Sequence, residues 1–210
     1  MRTIQRNVAP GCLAKQPKNQ DWGIFMGTPC HVTVGAVLRE EQLGLCCYCE
    51  SEVADSEGHI EHMEPRSRKQ SRTYDFTNMA ISCDGGGGGV EHCGRYKDDR
   101  SKNPICAWDA TLFSDPHDLA TASLFSYSTI GRIATTTADT AKANYLIDYL
   151  GLDCPRLNER RRQHARTLMD TLGDQPDPDL VNWLRQNFLQ TDPKGRMKQF
   201  HSLSKAILEP

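Results

Sequence analysis

Cys46, Cys49, Cys83 and Cys93, with His59, Glu61, His62, Asn78 and His92 among them, gather much of this chain's metal-binding and proton-transferring chemistry into residues 46–97. Cys46 and Cys49 form a C-x-x-C pair, a step that lets one tight turn aim two thiolates at a tetrahedral ion. Cys83 and Cys93 supply the second half, separated by Asp84, five glycines, Val90, Glu91 and His92. A glycine run packs nothing and costs chain entropy, so its use is to let the loop bulge while its ends return to one metal. The expected ion is structural Zn²⁺, against the plainer reading of four buried free thiols. Cys47 could replace Cys46, although the three-residue step favours Cys46. Cys12, Cys30, Cys106 and Cys154 have no partner spacing and are expected in the core.

Between the cysteine pairs lies His59-Ile60-Glu61-His62. On a strand, alternation puts His59 and Glu61 on one face and Ile60 and His62 on the other, while a bend at Glu61-His62 would bring both polar groups into one site. A neutral imidazole is a suitable general base near pH 7, and a carboxylate is a hard oxygen ligand for Mg²⁺. The pair could activate water next to a metal-bound phosphate; the bland alternative is a surface H-x-x-H without a task. Pro65-Arg66-Ser67-Arg68-Lys69-Gln70-Ser71-Arg72 is a basic, loop-forming stretch, and Arg95, Lys97, Arg100 and Lys102 make a second basic cluster. Such clusters are usually solvated faces, yet around a His/Glu pair they suit a polyanionic substrate. Arg66, Arg68, Lys69, Arg95 and Lys97 are the expected nucleic-acid contacts.

The elements that must position these groups are short. Residues 1–35 hold no helical or alternating period for two turns and are expected to form an arm anchored by Trp22, Ile24 and Phe25. Residues 34–45 predict a helix leading into the cysteines, and residues 74–82 a turn entering an apolar strand that delivers Cys83, with Asn78 where its amide could tie the loop down. Residues 124–127 and 130–133 alternate well enough for a hairpin closed near Ser128-Thr129. From Thr136 on, four helices are expected: one with Ala143, Leu146, Ile147 and Leu150 inward, ended by Gly151; one opened by Asp153-Cys154-Pro155; one capped at Asp177-Pro178; and one around Met197, Phe200, Leu203 and Ile207. His164 and His201 fall on their apolar stripes as core or boundary residues. Arg156, Arg160, Arg161, Arg162 and Arg166 lie on the second of these helices, as a solvated face or, more sharply, a contact for DNA or an acidic partner.

The chain has 210 residues, 38% of them hydrophobic, enough for one ordinary core or a small core with a helical module. A formal net charge of −2 excludes a protein coated in positive charge, so nucleic acid must be met by local clusters. With no apolar run fit for a secretory signal or a membrane span, a cytoplasmic protein is expected. In a reducing compartment nine cysteines point to metal ligands and buried thiols rather than a disulfide framework.

The order CCYCE, HIEHMEPRS, Asn78 to Cys83 and HCGRYK resembles an HNH (ββα-metal) endonuclease. More narrowly it resembles the PtuB-like nucleases of Septu and retron-associated anti-phage systems, through MRTI with Pro10 and, more weakly, Gly131-Arg132-Ile133. The resemblance implies an α+β fold, a zinc-stapled ββα-metal core at residues 36–105 with an N-terminal arm (1–35), a connecting segment with a hairpin (106–135) and a helical partner-docking module (136–210). It implies His62 as general base, Glu61 as ligand of a catalytic Mg²⁺ or Mn²⁺, and Asn78 as the residue fixing the loop between the strands. Many such enzymes place a His or Asn ligand where this chain has Gly94; His92 is the best substitute and Asp98 the reserve. The activity implied is cleavage of phosphodiester bonds, with DNA the expected substrate, beside an ABC/SMC-like ATPase of the PtuA type. The alternative is a non-catalytic zinc module that binds nucleic acid or a protein partner.

Overall fold

Thr28 starts the first long helix by accepting a hydrogen bond from the His31 N–H, and Pro29 follows where its missing donor costs nothing. In this computed structural model, which describes residues 1–17, 20–86, 91–99, 101, 103 and 107–209, seven α-helices and four strands are seen among the described residues. A single turn, α1 (Trp22–Phe25), precedes α2 (Pro29–Glu41). The latter begins earlier than the apolar pattern at residues 34–45 predicts, because the Thr-Pro cap outweighs periodicity. Strand β1 (His59–His62) pairs antiparallel with β2 (Met79–Ser82), setting His59 opposite Ser82 and His62 opposite Met79. Then come α3 (Cys93–Asp98), a hairpin of β3 (Phe125–Tyr127) and β4 (Ile133–Thr135), and α4 (Thr140–Tyr149), α5 (Pro155–Leu172), α6 (Pro178–Leu189) and α7 (His201–Leu208). The hairpin closes across Ser128 to Arg132, a wider turn than the sequence suggests. Helices with two small two-stranded sheets make an α+β protein. No helix among the described residues is long and apolar enough to cross a membrane.

A two-stranded sheet exposes two edges of unpaired backbone. Here the outer edge of β2 is covered by buried Gln42, whose amide donates to the carbonyls of Leu45 and Ile81 at 2.7 and 2.8 Å, and by the Cys47 N–H, which donates to Ile81. One buried cluster runs from Met1, Ile4, Trp22 and Phe25 through Leu38, Met79 and Ile81 to Leu146, Leu157 and Phe200. All four segments expected from the sequence contribute to it. A smaller cluster of Leu168, Leu184 and Leu208 joins α5, α6 and α7.

Two sequence expectations are corrected here. Cys12 and Cys30 are disulfide-bonded, with Cα atoms 5.8 Å apart, a pairing for which a chain of core thiols in a reducing compartment has no place. The bond ties the turn after Pro10 to the start of α2; Cys154 is a free, half-buried thiol and Cys106 lies outside the described residues. The arginines of α5 are also not one solvated face. Arg161 is 1% exposed, donates to the Leu152 carbonyl at 2.7 Å and lies over the Tyr127 ring. Arg160 reaches Ser51 and Gln199, while Arg162 and Arg166 pair with Glu159 and Asp170 along the helix. Arg161→Ala therefore removes buried packing and a charged hydrogen bond together, an expected loss of about 3 kcal/mol or a Tm lower by about 6–12 °C. Arg162→Ala, on the surface, should stay within about 0.5 kcal/mol of wild type. Thermal melts of the two variants check the contrast.

His117 supplies a pH-dependent contact between the segment before β3 and α2. Burial works to lower its pKa but is outweighed by Asp115 at 2.7 Å and Glu41 at 3.4 Å, which raise it. A raised histidine stabilises the fold fully below its unfolded value near 6.5, and that contribution is lost as pH climbs through the higher folded value. His117→Gln should consequently cost more at pH 6 than at pH 9, by roughly 0.5 kcal/mol; equal melting penalties at both would dismiss the idea.

Candidate functional site

The cysteine quartet comes together from three places in the chain. Cys46 and Cys49 lie in the turn after α2, where the Glu50 N–H donates back to the Cys46 carbonyl; Cys83 directly follows β2; Cys93 starts α3. All four sulfurs lie within 4.8 Å of one another. Cys46 and Cys93 are 3.8 Å apart and Cys49 and Cys83 3.7 Å, while four thiolates bound tetrahedrally at about 2.3 Å are separated by about 3.8 Å. The donor set fits a closed structural Zn²⁺ site. Cys47 is buried outside the quartet, its thiol pushed well up first by burial.

Glu61 and His62 sit at the end of β1, both buried. One Glu61 oxygen, Oε1, accepts from the Tyr48 hydroxyl at 3.0 Å and pairs with the Lys97 ammonium at 3.0 Å. The other, Oε2, faces His59 Nε2 at 3.5 Å. Burial pushes this carboxyl upward, but Lys97 and His59 hold it below its ordinary value, so it is ionised at neutral pH. His62 takes the opposite course: burial, the largest influence, pushes its imidazole down to about 4. The burial is supplied partly by the N-terminal arm, because Trp22 stands edge-on to the ring at 4.5 Å between centroids. A neutral His62 whose Nε2–H donates to the Thr73 carbonyl at 2.9 Å keeps the Nδ1 lone pair for a proton.

Thr73 belongs to the connection between β1 and β2, and Asn78 holds that connection closed. The Asn78 amide accepts from the Glu64 N–H at 2.8 Å and donates to the Glu64 carbonyl at 3.0 Å and, more weakly, to Arg72. Asn78 thus fixes the loop whose carbonyl orients His62. Arg66 and Arg68 line a cleft of about 550 Å³ together with Trp22, Thr73, Lys97 and Asp98, so two of the expected phosphate contacts border the site. Lys69 is exposed beside them, and half-exposed Arg95 is bound to Asp84 at 2.6 Å. Arg100 and Lys102 lie outside the described residues.

Two expected residues are placed differently. Lys97 is 3% exposed and its ammonium binds Glu61, Asp98 and the His62 carbonyl, so its charge neutralises carboxylates at the site instead of meeting phosphate on the surface. His92 turns to the cysteines: Nδ1 is 3.1 Å from Cys93 Sγ and 3.8 Å from Cys83 Sγ, a contact that suits stabilisation of thiolates. The histidine that meets Glu61 is His59. Its signal was the two-residue step that places both on one face of β1.

No protein-family model matches the chain. It is similar over 132 residues, at 30% identity, to a protein of Vibrio cholerae serotype O1 biovar El Tor named "Retron Vc95 putative HNH endonuclease". The match covers 59% of this chain and 60% of that relative, so less than two thirds of the curated protein's length is spanned.

Proposed function

We propose that the chain is an HNH-type endonuclease that cleaves phosphodiester bonds, with DNA as substrate and a divalent metal ion as cofactor. The observation that carries this reading is the pairing at the end of β1: a buried, ionised Glu61 beside a neutral His62 whose Nε2 is tied to Thr73, next to a cysteine quartet fit for zinc. The similarity to a retron protein bearing an HNH endonuclease name supports it, and supports the anti-phage setting that the PtuB resemblance suggests. The ATPase partner enters the proposal on that resemblance alone.

In this mechanism His62 Nδ1 takes the proton from the attacking water, while the Thr73 carbonyl keeps the ring in the tautomer that can do so. Glu61 would hold Mg²⁺ or Mn²⁺, which when bound supplies charge stabilisation for the phosphate under attack. Lys97 keeps Glu61 anionic, and Arg66 and Arg68 border the cleft where the phosphate backbone would lie.

The test is cleavage of plasmid and single-stranded DNA by the purified protein, alone and with the ATPase, with Mg²⁺ or Mn²⁺ and with chelator. Metal-dependent cleavage that falls at least about a hundredfold in Glu61→Gln is expected. DNA bound but left intact under every condition would favour the non-catalytic zinc module.

A further inference from the structure

We infer that His59 is a second protein ligand, with Glu61, of the divalent cation at this site, filling from β1 a position that α3 leaves empty at Gly94. The inference rests on the reading of Glu61 as a metal ligand and extends it to a residue two positions earlier. Three observations converge. First, His59 Nε2 lies 3.5 Å from Glu61 Oε2, close to the separation of about 3 Å expected for adjacent donors on an ion bound at about 2.1 Å. Second, Oε2 is the Glu61 oxygen that Tyr48 and Lys97 do not use. Third, a Cβ on Gly94 would fall 2.3 Å from Glu61 Oε2 and 3.0 Å from His59 Nε2. The helix therefore presents bare backbone where the two donors converge, and a side chain there would occupy the space that they share.

The other ring nitrogen is also arranged for the task. His59 Nδ1 is 3.2 Å from Asp84 Oδ1, and Asp84 is itself held by Arg95 at 2.6 Å. A ligating histidine ordinarily donates its second N–H to a carboxylate, which fixes the tautomer with the free lone pair turned to the metal. The chain Arg95, Asp84, His59, Glu61 has that order. A plain ion pair between His59 and Glu61 would share the 3.5 Å contact but would have no need of an empty Gly94 beside it.

The experiment is titration of the full-length, zinc-loaded protein with Mn²⁺, following the paramagnetic resonance signal of free aqueous Mn²⁺, with zinc content and melting temperature measured on every variant. Wild type should bind one Mn²⁺ and Glu61→Gln should lose it. His59→Ala should weaken binding at least about tenfold, and free imidazole should restore part of the affinity to His59→Gly. Asp84→Asn, which leaves His59 in place, should weaken binding by up to about tenfold and decides the matter if the His59 variants lose zinc. Mn²⁺ affinity unchanged in His59→Ala, or in Asp84→Asn should that variant have to decide, would overturn the inference while leaving Glu61 as ligand. Wild type that binds no Mn²⁺, or Glu61→Gln that binds it normally, would remove the metal reading of Glu61 and this inference with it.

Discussion

Cys83→Ser should unfold the region around β1, β2 and α3, and prolonged treatment with a strong chelator should do the same to the unaltered protein. β1 and β2 have four residues each and α3 has six, and the quartet ties the end of β2 and the start of α3 to the turn after α2. So little paired backbone is marginal by itself. A structural zinc contributes of order 10 kcal/mol to isolated fingers near neutral pH, comparable to the whole stability of an ordinary domain. Cys83 directly follows β2 and its N–H also donates to Cys46 Sγ at 3.3 Å, so its loss releases the strand as well as one ligand. The expected outcome is one zinc per chain in wild type by elemental analysis, none in Cys83→Ser, and loss of the cooperative melt. Cys154→Ser, altering a half-buried thiol outside the quartet, should cost less than about 1 kcal/mol. A Cys83→Ser protein with normal zinc and normal melting would refute the assignment of a structural site.

The second large effect falls on chemistry. His62→Ala should reduce metal-dependent cleavage by about 10² to 10⁴-fold, the range for removing a positioned general base, and should do so in kcat more than in KM. Zinc content should be unchanged, because no bond from His62 to the four cysteines is present. The melting temperature should fall by a few degrees, since the ring is 6% exposed and packs against Trp22. Asn78→Ala gives a related result by another route, because releasing the Glu64 end of the loop frees the Thr73 carbonyl that orients the imidazole. If His62→Ala, folded and zinc-loaded, cleaves as fast as wild type, the proton is taken elsewhere.

Much of the architecture could be read from local signals. The C-x-x-C step and the later cysteines placed the quartet, the short apolar run after Asn78 placed β2, and Pro155 and Asp177-Pro178 marked the starts of α5 and α6. Apart from the joining of the two cysteine pairs, each of these depends on residues within a few positions of one another, where spacing and backbone preference act directly. The start of α2 was misjudged for the same kind of reason: Thr28-Pro29 is a local cap that the apolar pattern alone does not register.

What the sequence could not determine is which distant surfaces meet. Cys12 and Cys30 stand eighteen residues apart with no motif to join them, and only the fold of the arm onto α2 brings their sulfurs together. Arg161 shares the apolar stripe of α5 with Leu157 and Ala165, unlike Arg160 and Arg162, but only the fold supplies the Tyr127 ring and the Leu152 carbonyl that receive its guanidinium. At the site, residue types and spacing identified Glu61, His62 and Asn78 as candidates. The tertiary structure alone turned Lys97 inward and sent His92 to the cysteines, and it brought into contact the His59 and Glu61 that strand alternation puts on one face. Those choices depend on how closely α3 can approach β1, and the absence of a side chain at Gly94 permits that approach.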